Sequence, residues 1–303
     1  MTTSIVACTA TPEATGDEAT RAAIVHRPAP MRAIALIARH ELRTALRSRM
    51  VPAFAALFTV LTTGISLAGL GASGELVVQG FMRTAVSLAS LALYVLPLLG
   101  VVMGAAAIGG EDGGAELLLA QPVGRAEALL GRTVGLAAAL ALVSALGFGA
   151  AALVVVLGAG ADGIAGYVLV ALGATAVGIV GVGVGVLVGV LTRRRTAAVA
   201  WALALWFAAA VLYDLVAIGV LQIVGNGQPG PWLVALLSLN PLDGVRAIAL
   251  IALGADVLLG PAGAALERLF GAGGGMAVVI GSLTVWMVAP IAIATRCFAR
   301  RDF

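Results

Sequence analysis

GIAGYVLVALGATAVGIVGVGVGVLVGVLT, residues 163 to 192, runs thirty positions between Asp162 and Arg193 without a charged side chain. The hydrocarbon core of a bilayer is about 30 Å thick and is crossed by about 20 apolar residues of helix, so this stretch is long enough to span it. Four more such stretches lie between Arg49 and Glu75, Arg83 and Glu111, Arg132 and Asp162, and Arg268 and Arg296. A sixth runs from Thr196 to about Gln222 and carries one charge, Asp214, near its far end. The whole chain agrees: its 303 residues are 61% hydrophobic and 11% charged, with a mean hydropathy of +1.09. Soluble domains carry about a quarter charged residues. The expected fold is an all-α membrane protein of six transmembrane helices, at about 52–72, 84–109, 133–158, 165–191, 197–222 and 272–295.

Six spans put both termini on one side, and arginines near span ends are retained in the cytoplasm. With the termini inside, the outer segments hold only Arg83, Arg246 and Arg268 of the eighteen arginines. A seventh span through Gly244 to Leu266 would carry Arg246, Asp256 and Pro261 and move the C-terminal arginines outside, so it is rejected. Residues 1–30 lack an apolar run and read as a disordered extension. Met31 opens a new composition and is a second candidate start. From 31 to 50, Ile34, Ile37, Leu42 and Leu46 fall near one side and arginines cover the rest, the pattern of an amphipathic interfacial helix. The competing reading is a first span of unusual length, against which Pro52 stands where a new helix would begin.

Several activities are excluded by residue type. All basic residues but the two histidines are arginine, so the G-x-x-x-x-G-K-[ST] phosphate loop cannot be written and ATP-driven work requires a partner. Cys8 and Cys297 form no C-x-x-C pair, His26 and His40 lie in the polar N-terminal stretch, and Met82, Met103, Met276 and Met287 lack the close spacing of a copper track. No metal site and no catalytic residue is expected in this chain.

Four features remain. The inner loop at 110–132 contains Glu111 and Asp112, a glycine pair, a short helix from Glu116 to Gln121 with Leu117 and Leu118 on it, then Pro122 and Arg125. Leucines exposed there cost about 25 cal/mol per Å² in water, so the loop helix is expected to dock on a partner protein or on lipid. Gly181, Gly185 and Gly189 repeat every four residues and suit close helix packing in lipid. Asp214 is the ionisable group inside a span, read either as functional or as a boundary marker beside Tyr213. The outer excursion at 223–271 is too apolar for open solvent and too broken to span, and reads as short helices lying against the membrane surface or re-entering it. Asn240-Pro241 supplies its break. Asp243 and Arg246, three apart on the following helix, either pair or leave Asp243 as a cap.

These features resemble the type-2 ABC exporter (ABC-2) permease family, and within it the NosY group, the permeases of the transporter that matures nitrous oxide reductase. The strings that carry the likeness are IARHELRTALRSR (Ile37 to Arg49), ASGEL (Ala72 to Leu76), SLASLALYVLPL (Ser87 to Leu98), GEDGGAELLLAQPVGRAEALLGR (Gly110 to Arg132), YDLV (Tyr213 to Val216) and LNPLDGVR (Leu239 to Arg246). The resemblance implies a homodimer in the inner membrane, clasped by two cytoplasmic ABC ATPases that bind ATP and Mg²⁺. It makes Glu111, Asp112, Glu116, Leu117, Leu118, Gln121, Pro122 and Arg125 the ATPase-coupling residues. It further implies a periplasmic β-helix partner bound by the outer excursion at Asn240, Pro241, Asp243 and Arg246, in the service of the reductase's copper-sulfur centre. The sequence departs from that pattern in having arginine throughout for lysine and a Glu-Asp-Gly-Gly exit from the second span. Export of a lipid or hydrophobic drug is the alternative within transport; an intramembrane enzyme or scaffold using Asp214 is the alternative outside it.

Overall fold

Inside lipid a backbone satisfies its own hydrogen bonds, and a single apolar segment does so only as a helix. The computed structural model describes residues 29–71, 77–109, 124–160, 164–192, 194–224, 231–253 and 274–300, and every regular element among them is helical. In chain order these are α1 (Pro30–Arg47), α2 (Met50–Gly71), α3 (Val77–Ile108), α4 (Arg125–Ala159), α5 (Ile164–Leu191), α6 (Arg195–Phe207), a π-helical turn (Ala208–Leu212), α7 (Tyr213–Val224), α8 (Pro231–Leu239), α9 (Pro241–Ala252) and α10 (Gly274–Ala299). Among the described residues six stretches are long and apolar enough to cross a membrane: Met50–Gly69, Thr84–Ile108, Arg125–Gly158, Ile164–Leu191, Arg195–Val220 and Met276–Ala299. The third starts at Arg125, some two turns before the apolar run at 133, because Glu127 accepts the Gly124 N–H (3.1 Å) and satisfies a donor at the helix start. The extension expected over residues 1–30 falls, up to residue 28, outside the described residues.

α1 and α2 are separate helices. Ser48 breaks them: its Oγ donates to the Ala45 carbonyl (2.7 Å) and accepts from the Val51 N–H (3.3 Å), closing one helix and opening the next. α1 lies along the first turns of α4. Gly131 faces Ile34 and Ile37, Gly135 faces Ala38 and Glu41, and Glu41 pairs with Arg132 at 3.3 Å. Leu46, expected with the apolar side, is 39% exposed. Ala33 and Ala45, small enough for close approach to a neighbouring helix, are buried instead.

The core is built on α3, α4 and α5, with Leu88, Leu93, Leu96 and Leu99 of α3 meeting Leu129, Leu140 and Val143 of α4 and Val182 and Val186 of α5. α5 is the most enclosed span, and α6 with α7, and α10, stand at the rim. α3 and α5 approach closely because glycine removes the side chain where they cross. A Cβ on Gly181 would lie 2.7 Å from the Pro97 carbonyl oxygen, and one on Gly189 would lie 2.9 Å from Ile108 Cβ. Gly185 sits against Val101, and Gly100 and Gly104 of α3 sit against the backbone of α5 in return.

One end of the bundle gathers α1, Arg132, Arg194, Arg195 and Arg296, with Gly109 beside Ala198 and Gly189 beside Ile108. At the opposite end α8 and α9 form a hairpin that enters the bundle. Gly166, one turn into α5, faces Ala252, whereas Gly173, two turns deeper, faces Val245, so α9 runs outward alongside α5 from a buried tip. The described part of the outer excursion, residues 231–253, thus packs beside α5.

Candidate functional site

The hairpin tip is Asn240-Pro241. Proline at the first position of α9 needs no N–H partner, and Asn240 in extended conformation (φ −113°, ψ 111°) turns its Oδ1 back to accept the Leu242 N–H (3.2 Å). Its Nδ2 donates to the carbonyl of Ala209 (2.8 Å) and to Asp243 Oδ2 (2.9 Å). The π-helical turn makes the first of these available. There the Tyr213 N–H bonds Ala208 O five residues back, so the Ala209 carbonyl loses the partner an α-helix would give it. The side chain of Asn240 takes that place.

The same turn sets the facing of Asp214, which follows it directly. Arg246 on α9 donates from Nη1 to Asp214 Oδ2 (3.2 Å) and lies 3.6 Å from Asp243 Oδ1. Its Nη2 donates to the Tyr94 hydroxyl on α3, and its guanidinium carbon stands 5.1 Å from the centre of that ring. The Tyr94 carbonyl accepts from Trp206 Nε1 of α6 (3.1 Å). One arginine therefore joins the second span, the fifth span and the hairpin of α8 and α9.

Two carboxyl groups face one guanidinium, and the second carboxyl is poorly served. Asp243 is 8% exposed, and its Oδ1 has no hydrogen-bond donor. Burial, and after it the neighbouring Asp214, pushes the Asp243 carboxyl above the usual carboxylate range. Asp214 is stabilised by Arg246 and not by Tyr213, since adjacent residues on a helix point about 100° apart. The Tyr213 hydroxyl donates instead to the Leu236 carbonyl of α8 (2.7 Å), a third tie between fifth span and hairpin.

The expected outer contact residues Asn240, Asp243 and Arg246 thus turn toward the bundle, with Asn240 only 4% exposed. Glu111, Asp112, Glu116, Leu117, Leu118, Gln121 and Pro122 lie outside the described residues, and Arg125 is the first residue of α4. Tyr94, Trp206 and the π-helical turn are site features that the sequence does not single out. The strings around Tyr94, Tyr213 and Asp243 carry the family likeness without revealing that they meet. Among the described residues no group of three or more His, Cys, Asp or Glu is arranged to hold a metal ion. The arrangement is a clasp: charge and hydrogen bonds hold a short hairpin to two spans, with no paired nucleophile and base among the described residues.

Residues 35–303 match the family described as ABC-2 family transporter protein. Two relatives, in different organisms, are each named "Probable ABC transporter permease protein NosY". That of Stutzerimonas stutzeri is 34% identical over 221 residues, covering 70% of this chain and 79% of its own. That of Pseudomonas aeruginosa is 33% identical over 273 residues, covering 88% and 97%.

Proposed function

This chain belongs to the ABC-2 transporter family, and on that premise we propose that it passes force from a separate cytoplasmic ATPase to its hairpin of α8 and α9, in the service of assembling the copper-sulfur centre of nitrous oxide reductase. The observation that carries the reading is the course of α3. This helix meets the clasp at Tyr94 and ends at Ile108, followed by Gly109 beside Ala198 at the arginine-rich end. There the connection to α4 begins, and that connection contains Glu111, Asp112, Glu116, Leu117, Leu118, Gln121, Pro122 and, at its far end, Arg125. A push received on those residues is delivered along α3 and α4, the rigid pair flanking the loop, and α3 touches Arg246 directly.

The working assembly in this reading is a homodimer with two ATPases holding ATP and Mg²⁺. The arginine-rich end and both termini face the cytoplasm, and a periplasmic partner sits over the hairpin. Apolar side chains along the rim, such as Leu57, Val60, Trp201, Leu215 and Val288, remain exposed and suit lipid or the second copy. The hairpin presents to the outer partner whichever surface Arg246 allows, so the buried Asn240 and Asp243 position that surface and do not touch the partner themselves. Copper or sulfur species are cargo of the complex, not residents of this chain.

Replacing Leu117 and Leu118 together by Asp tests the coupling. The variant inserts into the membrane normally, and purified complex carrying it loses ATP-coupled activity. Full coupled activity in that variant overturns the reading. Mass spectrometry of the intact complex separates reductase maturation from lipid or drug export, since only the former brings down a periplasmic β-helix protein.

A further inference from the structure

Among the described residues the hairpin tip carries one negative charge more than it pairs. Arg246 supplies the single positive charge among the described residues of the clasp, and it gives its shorter contact to Asp214 (3.2 Å) and its longer one to Asp243 (3.6 Å). Asp243 Oδ2 is held by Asn240 Nδ2, while Oδ1 is buried and receives no hydrogen bond. An acceptor oxygen buried without a donor is satisfied if it becomes a donor itself. We propose that Asp243 binds an exchangeable proton at Oδ1 and shares it with the Asp214 carboxylate, so that the tip of the hairpin is a proton-binding site.

Among the described residues the groups facing this proton are few. α3 contributes the Tyr94 hydroxyl, which the Arg246 guanidinium engages, and α7 contributes Asp214 and Tyr213, the latter committed to the Leu236 carbonyl. α9 contributes Arg246, and the tip contributes Asn240. α5 and α10 meet α9 through Gly173 and Val279, which carry no charge. A divalent metal ion would need about six oxygen ligands, and the tip offers two carboxyl groups and no third acid or histidine among the described residues. A proton, supplied by bulk water through the partly exposed Asp214 and Arg246 (31% and 29%), meets the need with one bond. When it binds, Asp243 becomes a neutral acid donating to Asp214; when it leaves, two carboxylates repel across the hairpin interface and only Arg246 holds them.

The sign follows from where the proton is bound more tightly. The folded clasp raises the proton affinity of Asp243 above its value in the unfolded chain, near pH 4. The clasp is therefore destabilised above neutral pH and gains stability as pH falls through neutrality toward the ordinary carboxylate range. This holds whether or not the chain is driven by an ATPase.

The full chain in nanodiscs tests it by infrared spectroscopy and thermal unfolding across pH 5 to 8. A protonated carboxyl band that titrates near neutrality, lost in Asp243→Asn and shifted in Asp214→Asn, supports the proposal. So does a melting temperature that falls with rising pH in the native chain and is flat in Asp243→Asn. Should Asp243→Asn fail to fold, Asp243→Glu keeps the band at a displaced pH. Absence of the band in the native chain, an unchanged pH dependence in Asp243→Asn, or stabilisation by sodium at fixed pH in its place overturns it.

Discussion

Arg246 makes the clasp, and removing it shows what a buried charge costs when its partner goes. Asp214 and Asp243 both look to this one guanidinium, so Arg246→Met leaves two carboxyl groups facing each other in a half-buried site. Breaking an enclosed ion pair from one side costs roughly 3–5 kcal/mol, and the partial exposure of Arg246 places the loss at about 3 kcal/mol. Substituting Asp214→Leu in the same chain recovers most of it, because the uncompensated charge is removed as well. Thermal unfolding in detergent gives both numbers. Equal stability of the single and double variants would show that Arg246 acts by packing against Tyr94 alone. In the sequence this residue is visible only as half of an i, i+3 pair with Asp243. That pairing exists at 3.6 Å, but the stronger contact goes to a residue thirty-two positions earlier, which no periodicity connects to it.

Elements are more legible than their meetings. Charge-free length sets where helices cross a bilayer, and Asp162, Arg193 and Arg195 bracket α4, α5 and α6 closely. The π-helical turn is not readable, since AAAVL differs in nothing from ordinary helix; the turn exists because Asn240 can occupy the carbonyl it frees. The packing of α8 and α9 against the bundle stays open in the sequence for a similar reason: their apolar residues suit lipid and protein alike, and the contacts of the polar tip are not written in any periodicity. The loop bearing Leu117 and Leu118 lies outside the described residues, so its docking rests on the proposed function. Glycine spacing does predict close packing at Gly181, Gly185 and Gly189, while the answering Gly100 and Gly104 of α3 are too few to stand out as a ladder. The contrast between packed and open glycines is testable. Gly185→Ala pushes a methyl group into the Val101 backbone, which cannot rotate away, and destabilises the bundle by roughly 1–3 kcal/mol. Gly64→Ala meets nothing within 4 Å and leaves stability unchanged or raises it by up to about 1 kcal/mol through helix propensity. Comparable losses at both positions, read by thermal unfolding, would remove the close crossing of α3 and α5 as the explanation.

At the scale of the whole molecule, four ties among the described residues hold the hairpin, one of them the Asn240 side chain on the Ala209 carbonyl of the π-helical turn. Arg246 ties it to α3 and α7, Tyr213 ties α7 to α8, and Ser282 of α10 donates to the Ser238 carbonyl of α8. The core of α3, α4 and α5 lies on one side of these ties and the rim spans on the other, so a shift of α3 against the rim changes the load on the hairpin. Interfaces of this kind respond in discrete steps because packed cores do not deform continuously. If the hairpin moves during the cycle, fixing it to α10 stops the cycle without touching the ATPase. Ser238→Cys with Ser282→Cys, in a chain whose Cys8 and Cys297 are replaced by Ser, places one thiol on α8 and one on α10, on the two residues joined by the bond from Ser282 Oγ to the Ser238 carbonyl. Oxidation of the assembled complex is expected to abolish ATP-coupled activity while basal ATP hydrolysis by the partner persists, and a reductant restores coupling. Unimpaired coupling in the oxidised, cross-linked complex would mean the hairpin is a static plug, and the force would have to leave through another part of the outer face.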